Sequence, residues 1–318
     1  MPLEVIEGGS VGWERVGWEN WADHALVRAR LEAGADPNTM PGGRPLHRAA
    51  QHGSAEVVAE LAGRVDDVDV LEEGRSALWL AVYFNRLDNA RALAEAGADP
   101  WLPMMSGWSP GRLALAGGHD LSGPRTPPNA ALSDAEAAVA AESVRFKAVL
   151  DDDYDDDYPE EGAGLAAVAG VDVAEVIRRL NATPVDGDPE LAEELDVVGA
   201  TDVPGGCVIS QPWGYAPRIA GVMRLLSADT VCYSVYLNPK SGTQGGIMRD
   251  GEIVDWDLFP GGEPIENESA DQVLLSYLYP NDPMAVACAY AGLRLTDGRA
   301  ITGPPDVWLR LPIDDYRR

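Results

Sequence analysis

Residues 43–53, which read GRPLHRAAQHG, are the part of this sequence that decides its fold. Residues 74–82 repeat their pattern as GRSALWLAV, and the phrase Gly-Ala-Asp-Pro stands both at 34–37 and at 97–100. The spacing of these phrases gives a period of roughly 33 residues, and self-similarity at such a period is typical of stacked helical repeats. The first half of the chain is therefore predicted to be a repeat array.

The segments within one period have the pattern of a helical hairpin. In the helix predicted over 54–61, apolar side chains share one face, and Ser54 stands where an N-cap is expected. Gly34 and Gly97 follow such helices, where a left-handed backbone favours glycine. The Asp-Pro after each glycine cannot continue the helix and suits a turn.

The period and the phrases resemble the ankyrin repeat, a β-turn followed by two antiparallel helices. The resemblance covers roughly residues 20–119, with two well-formed copies and degenerate ends. Trp79 and Arg112 stand where the repeat has a histidine, as it does at His47. The resemblance implies a short ankyrin-type helical solenoid that works by binding other proteins.

Both ends of the array are predicted to be capped. Three tryptophans precede the first Gly-Ala-Asp and are expected to seal the stack: Trp13, Trp18 and Trp21. An alanine-rich helix is predicted over 132–149, where Ser133 and Glu136 have the spacing of a capping box. This helix is expected to close the other end.

Ankyrin arrays bind partners with their hairpin tips and with the exposed face of the first helix of each repeat. The residues predicted at these positions are Asn38, Thr39, Met40, Arg48, Gln51, His52, Tyr83, Phe84, Trp101, Leu102, Met104, Met105 and Trp108. The loop 101–108 combines tryptophans with methionines, side chains that contribute strongly to binding energy at interfaces. Such an apolar cluster is either a binding surface or is covered by the second half of the chain, and the sequence leaves both alternatives open.

The chain carries 52 acidic and 24 basic side chains, a formal net charge of −28. Such a charge repels phosphate backbones and anionic lipids, so we expect neither a nucleic-acid nor a membrane partner, and it is compatible with a basic protein partner. No apolar run approaches the ~20 residues of a membrane span, and the N-terminus lacks the pattern of a secretory signal. We therefore expect a cytoplasmic protein whose three cysteines are reduced and buried: Cys207, Cys232 and Cys288.

An acidic segment separates two predicted domains. Residues 150–161 consist mostly of carboxylates, whose mutual repulsion opposes packing, so we predict a solvated linker between an ankyrin-type domain at 1–149 and a second domain at 162–318. A calcium loop of the EF-hand type needs glycine at its sixth position and glutamate at its twelfth, where this segment has Asp156 and Gly162. We predict no metal site and no cofactor.

The second domain is predicted to be α+β with an antiparallel sheet, and it is expected to open with helices. Strands are predicted over 206–211, 230–237 and 247–258, the last a hairpin around Asp250-Gly251, and helices over 172–180, 189–195, 271–278 and 284–291. Asp172 stands at the N-cap position of the first helix.

Four phrases of this domain resemble a small actinobacterial domain family of unknown function that is sometimes found beside ankyrin repeats. They are VAEVIRRLNATP at 173–184, GGCVISQPWGY at 205–215, GVMRLLSADT at 221–230 and DGEIVDWDLFP at 250–260. The resemblance implies no catalytic residues. Trp213 and Tyr215 lie in an aromatic loop that suits recognition of a partner or packing beneath the sheet.

Little in the second domain indicates chemistry. It contains no histidine, so a Ser-His-Asp or Cys-His site cannot be completed within it. Asp255 and Asp257 are expected on one solvated strand face with Trp256 opposite, and an acid–base pair is the alternative interpretation. Lys240 lies in a glycine-rich loop that lacks the residue order of a phosphate loop.

Three functional hypotheses follow. The first is a non-catalytic interaction protein, a scaffold or regulator that recruits a protein partner through its ankyrin repeats. The second is an immunity or antitoxin-type inhibitor that captures a basic effector by charge. The third is an enzyme with a site around Lys240, Asp255 and Asp257.

Overall fold

A computed structural model of the protein describes residues 12–14, 16–123, 126–153, 162–186, 195–238 and 240–312. These residues form two compact units. The first contains the described residues up to Ala137 together with Ile265–Val273, and the second contains those from Ala138 to Pro264 and from Leu274 onward. Among them, no helix has the length and apolar character that crossing a membrane requires.

The first unit is built from short helices that lie in two rows. They are α1 (His24–Glu32), α2 (Pro45–His52), α3 (Ala55–Ala62), α4 (Ala77–Tyr83), α5 (Leu87–Glu95) and α6 (Pro110–Ala116). Helices α2, α4 and α6 contact one another in order along one row, and α1, α3 and α5 do the same along the other. Antiparallel bridges join Met40 to Gly43 and Glu72 to Arg75 in the hairpins between repeats. This is the solenoid that the repeat pattern predicts.

The helix ends confirm the local sequence signals. The side chains of Ser54, Ser76 and Ser109 accept backbone N–H groups at the N-termini of α3, α4 and α6. Gly34 and Gly97 follow α1 and α5 with φ angles of 97° and 107°, a left-handed backbone that glycine adopts without steric cost.

Small side chains let the first helices of neighbouring repeats approach closely. Ala49, Ala50 and Ala81 are fully buried. Trp79 replaces the histidine of the repeat and is fully buried as well. The core of the array therefore accommodates this substitution.

Helix α7 (Asp134–Asp153) begins at the predicted capping box, with the Ser133 N–H donating to Glu136 Oε2 at 2.8 Å and the Glu136 N–H to Ser133 Oγ at 3.3 Å. The helix continues beyond residue 149, where the sequence analysis placed the start of the linker. Charge repulsion does not end it there, because Leu150 has apolar surface to bury and is 3% exposed. The remainder of the predicted linker, 154–161, lies outside the described residues.

The second unit contains an eight-stranded antiparallel sheet. Its strands are β1 (Gly164–Ala169), β2 (Thr183–Val185), β3 (Val197–Val203), β4 (Gly206–Gln211), β5 (Val231–Tyr236), β6 (Gln244–Arg249), β7 (Glu252–Asp255) and β8 (Val307–Arg310). They lie in the order β2-β8-β3-β4-β1-β5-β6-β7, and each described pairing is antiparallel. The predicted fold class, a helical ankyrin-type array followed by an α+β domain with an antiparallel sheet, is confirmed.

Strand β1 lies between β4 and β5, although the sequence analysis expected helices to open this domain. Its residues, GLAAVA, are buried almost throughout. A strand that is buried on both faces has no alternation of apolar and polar side chains, so its sequence does not distinguish it from a helix.

Helices α8 (Val173–Leu180), α9 (Ala220–Leu226), α11 (Pro283–Tyr290) and α12 (Arg299–Thr302) pack against this sheet. Helix α10 (Ala270–Leu278) precedes α11 in the chain. One core cluster joins α8 and α9 to the sheet, and α11 contacts β1 and β5. Asp172 caps α8 as predicted, accepting the Glu175 N–H at 2.8 Å. The helix predicted over 189–195 falls almost wholly outside the described residues.

Candidate binding cleft

A cleft of about 250 Å³ opens beside helix α2 in the first unit. Its lining residues are Val16, Gly17, Trp21, Met40, Pro41, Gly42, Arg48 and His52. They come from the N-terminal cap, the first hairpin and the second half of α2. The cleft therefore lies where sequence reasoning placed part of the binding surface.

The cap forms a fixed apolar wall of this cleft. Trp13 and Trp21 are both buried, with ring centroids 5.6 Å apart. The indole N–H of Trp13 donates to the carbonyl oxygen of Asp36 at 2.8 Å, which ties the cap to the first hairpin. Of the three tryptophans predicted to cap the stack, Trp13 and Trp21 are buried at this end of it, and the side chain of Trp18 lies outside the described residues.

The opposite side of the cleft is basic. Arg48 and His52 lie one helical turn apart on α2, and Arg48 Nη2 donates to the Gly42 carbonyl oxygen at 2.7 Å. Arg86 reaches the end of the same helix, where its Nε donates to the Gln51 carbonyl oxygen at 3.0 Å. Burial lowers the pKa of His52, and the charges of Arg48 and Arg86 lower it further, so the local potential is positive.

Neither Arg48 nor Arg86 pairs with a carboxylate in the part of the chain that the structure describes. Other arginines of this unit do so, as Arg64 does with Glu60 and Arg91 with Asp88. The cleft is thus a local exception to the acidic character of the chain.

The other residues predicted on the face of the first helices are placed unevenly. Gln51 and Tyr83 are buried, at 9% and 7% exposure, so neither offers its side chain to a partner. The expectation of exposure fails for them because both side chains take part in packing between helices. Phe84 remains 40% exposed, with its ring 5.4 Å from that of Tyr83.

Part of the loop 101–108 is covered by residues 265–273, which belong to the same unit. Trp108 is 1% exposed, and its indole N–H donates to the Ala270 carbonyl oxygen at 2.9 Å. The hydroxyl of Ser106 donates to the carbonyl oxygen of Glu268. Met105 is 5% exposed. Of the two alternatives, coverage by the chain itself is the one that the structure has, and it removes Met105 and Trp108 from the accessible surface.

Trp101 and Met104, from the same loop, are half-buried. Trp101 lines a second cleft, of about 460 Å³, together with Pro100 and Leu121. The predicted tip residues are therefore divided among two clefts and a covered loop and do not form one surface.

Trp213 and Tyr215 belong to the second unit and are 61% and 47% exposed. The ring of Tyr215 lies 6.2 Å from that of Tyr236. Neither residue lines the cleft beside α2.

The predicted acidic strand face is wrong for Asp257. Strand β7 ends at Asp255, and a register shift at Ile247 breaks the alternation, so Asp257 points inward and is 7% exposed. Its carboxylate accepts hydrogen bonds from the Tyr233 hydroxyl and, at 2.9 Å, from the Phe259 N–H, while burial raises its pKa. Trp256, expected on the opposite face, is 46% exposed.

The three cysteines are buried free thiols, as predicted. Burial raises the pKa of Cys207 and that of Cys232 to about 12, so neither is a thiolate at neutral pH. Within the described ranges, no cluster of histidine, cysteine, aspartate and glutamate could hold a metal ion.

Sequence reasoning missed Asn89, the residue that holds the base of the cleft in place. It is 4% exposed in α5, and its side-chain amide donates to the carbonyl oxygens of Ala49, Ala50 and Gly53 at 3.3, 3.0 and 3.1 Å. These acceptors lie at the end of α2, beside His52. A polar residue on the apolar side of a short helix was the available signal, because such a side chain needs hydrogen-bond partners when it is buried.

Comparison with known proteins agrees with this architecture. Residues 19–103 match the family model of ankyrin repeats, in three copies where the sequence analysis counted two well-formed ones. The chain matches no curated protein. Residues 19–103 of this chain are therefore an array of ankyrin repeats.

Proposed function

We propose that this protein acts by binding a protein partner at the cleft beside α2, and that it works as a scaffold or regulator without catalysis. Ankyrin repeats generally serve protein–protein interaction. The observation that carries the proposal is the cleft itself, in which the accessible apolar residues Met40 and Pro41 share the lining with Arg48 and His52.

The composition of this cleft resembles the centre of an interface. Tryptophan, methionine and arginine are enriched among residues that contribute most to binding energy. The wall is fixed by the bond from Trp13 to Asp36, and the base by Asn89, so little order has to be gained on binding. A volume of about 250 Å³ suits the side chains of one inserted segment better than a folded surface.

Capture from native lysate with the purified full chain tests this proposal. We expect a partner to be retained by the wild type and lost with Met40→Asp and Arg48→Ala, because both changes alter the lining without touching the core. Arg91→Ala is the matched control, since it removes an exposed arginine of the same unit outside the cleft. A partner that both cleft variants retain, while Phe84→Ala or Trp213→Ala loses it, would place the binding surface elsewhere.

Inhibition of a basic effector is a second candidate, favoured by the net charge of −28. Long-range attraction between a strongly acidic protein and a basic one is screened by salt. A partner of this kind should therefore have a high isoelectric point and should elute when the salt concentration is raised to about 1 M. Retention at that salt concentration would count against this candidate.

Catalysis in the second unit has less support. Lys240 is exposed, whereas Asp257 is buried and its carboxylate is occupied by the hydrogen bonds from Tyr233 and Phe259. We assign Asp257 a structural role, holding the residues after β7 against β5.

A further inference from the structure

Arg48 in the cleft, and Arg86 at its edge beside His52, have N–H donors without an acceptor in the described part of the chain. Among the described residues, no protein acceptor is bonded to Nη1 or Nη2 of Arg86, or to Nε or Nη1 of Arg48. Both guanidinium groups are anchored through a different nitrogen, Arg86 to the Gln51 carbonyl and Arg48 to that of Gly42. Anchored guanidinium groups with free N–H donors are well suited to bind a carboxylate.

The absence of a carboxylate at these arginines is informative because carboxylates are in excess. The chain has 52 acidic against 24 basic side chains. In this unit, Arg28, Arg64 and Arg91 each have an acidic partner. Arg48 and Arg86 lie near His52 without one, so they lack the neutralisation that Arg28, Arg64 and Arg91 have.

An apolar wall lies beside these cations. Met40 is half-buried, Pro41 is exposed, and both line the same cleft as Arg48. A ligand that satisfies both sides carries an apolar side chain next to an acidic one. A polyanion such as nucleic acid fits poorly, because the net charge of −28 repels a long run of phosphates.

We infer that the cleft and its edge bind an acidic segment of the partner, with carboxylates against Arg48 and Arg86 and an apolar side chain against Met40 and Pro41. This inference rests on the proposed function and specifies its partner: a segment with glutamate or aspartate beside a large apolar residue. The net charge of the whole chain suggests a basic partner, whereas the positive charges of Arg48 and Arg86 favour an acidic one.

Two peptides test the inference on the full-length protein, each acetylated at its N-terminus, amidated at its C-terminus and built from two alternating residue types. One alternates glutamate with leucine, and its twin has glutamine in place of glutamate. Fluorescence polarisation of the labelled peptides gives the dissociation constants. We expect the glutamate peptide to bind about tenfold more tightly than the twin, and Arg48→Ala and Arg86→Ala each to weaken it by about tenfold. Arg91→Ala should leave the affinity unchanged.

Equal affinity of the two peptides, or wild-type affinity in both arginine variants, would overturn the inference. If Arg48→Ala or Arg86→Ala unfolds the array, Arg48→Lys and Arg86→Lys take its place and should retain part of the preference for glutamate.

If the lysate partner is lost with cleft variants but the glutamate peptide does not bind, the acidic-segment inference fails and the proposed function stands. If the peptide binds as expected but the lysate partner ignores the cleft, the proposed function fails instead.

Discussion

His47 is the residue through which pH acts most directly on the array. It is 2% exposed, and its Nε2–H donates to the Arg75 carbonyl oxygen at 3.0 Å. Its other ring nitrogen, Nδ1, is buried without a hydrogen-bond partner in the described part of the chain. Protonation would place a charge and a second N–H at this buried nitrogen. Burial therefore favours the neutral ring and lowers the pKa of His47. The pKa of His52 is lowered as well.

We predict that stability falls as the pH drops below 6.5. In the unfolded chain a histidine takes up a proton near its ordinary value of 6.5, whereas folded His47 stays neutral to a lower pH. The unfolded state then binds more protons, and the free energy of unfolding decreases by up to about 1.4 kcal/mol per pH unit for such a histidine. Urea titrations at a series of pH values measure this slope. His47→Gln, which can still donate to Arg75, should reduce the slope.

We also predict that the native protein is nearly inert to thiol reagents. The raised pKa of Cys207 and that of Cys232, together with their complete burial, leave almost no accessible thiolate. Labelling with a chromogenic disulfide at pH 8 should be at least roughly a hundredfold slower in the native protein than in urea, where the three thiols react freely. Rapid labelling of one thiol without urea would show that a cysteine-bearing strand opens readily.

At the scale of elements, Asn89 shows how neighbouring repeats are joined. Helix α5 belongs to one repeat, and the carbonyl groups that Asn89 binds lie at the end of α2 in the preceding one. One buried amide thus satisfies the last carbonyls of a helix that has no further turn to bond them.

Asn89→Ala should therefore lower the free energy of unfolding of the array by about 2 kcal/mol, because it leaves buried carbonyl groups without donors. Denaturant titration measures the loss. Glu95→Ala, an exposed change in the same helix, is the matched control and should cost less than about 0.5 kcal/mol. A loss for Asn89→Ala no larger than that of the control would mean that water replaces the amide.

The elements that could be predicted from sequence are those with a visible period or cap. Helix α3 follows from its one apolar face and Ser54, and β5 from its alternating side chains. Strand β1 could not be predicted, because burial on both faces removes the alternation. Asp257 was placed on the wrong side because a register shift at Ile247 is invisible in the residue pattern. In the cleft, Arg48 and His52 were predicted from their repeat positions, whereas Arg86, at its edge, precedes α5 at a position where an arginine carries no signal.

At the scale of the whole molecule, a segment that follows β7 in the sequence, residues 265–273, packs with the first half of the chain. Residues 265–273 lie against Trp108 and Ser106, with hydrogen bonds that span 162 positions of sequence. At the start of α10, the Ser269 N–H donates to Gln272 Oε1 at 3.0 Å and the Gln272 N–H to Ser269 Oγ at 3.3 Å, a capping box that fixes the conformation of the covering segment.

Trp108→Phe tests this covering contact. It keeps an aromatic ring but loses the bond to the Ala270 carbonyl, so we expect a loss of about 1 kcal/mol in the stability of the first unit. Amide hydrogen exchange should become faster at residues 265–273. Trp213→Phe, at an exposed tryptophan of the second unit, should leave that exchange unchanged. Unaltered exchange in Trp108→Phe would mean that packing alone holds the segment.

The position of residues 265–273 also bears on the time at which the array is completed during synthesis. Ser106 and Trp108 leave the ribosome 162 residues before the groups that cover them. At a synthesis rate of about 5–20 residues per second, Trp108 stays uncovered for roughly 8–30 s. During that interval the unfinished chain presents an apolar surface that the finished protein does not have. A chaperone could bind this surface only while the chain is still on the ribosome.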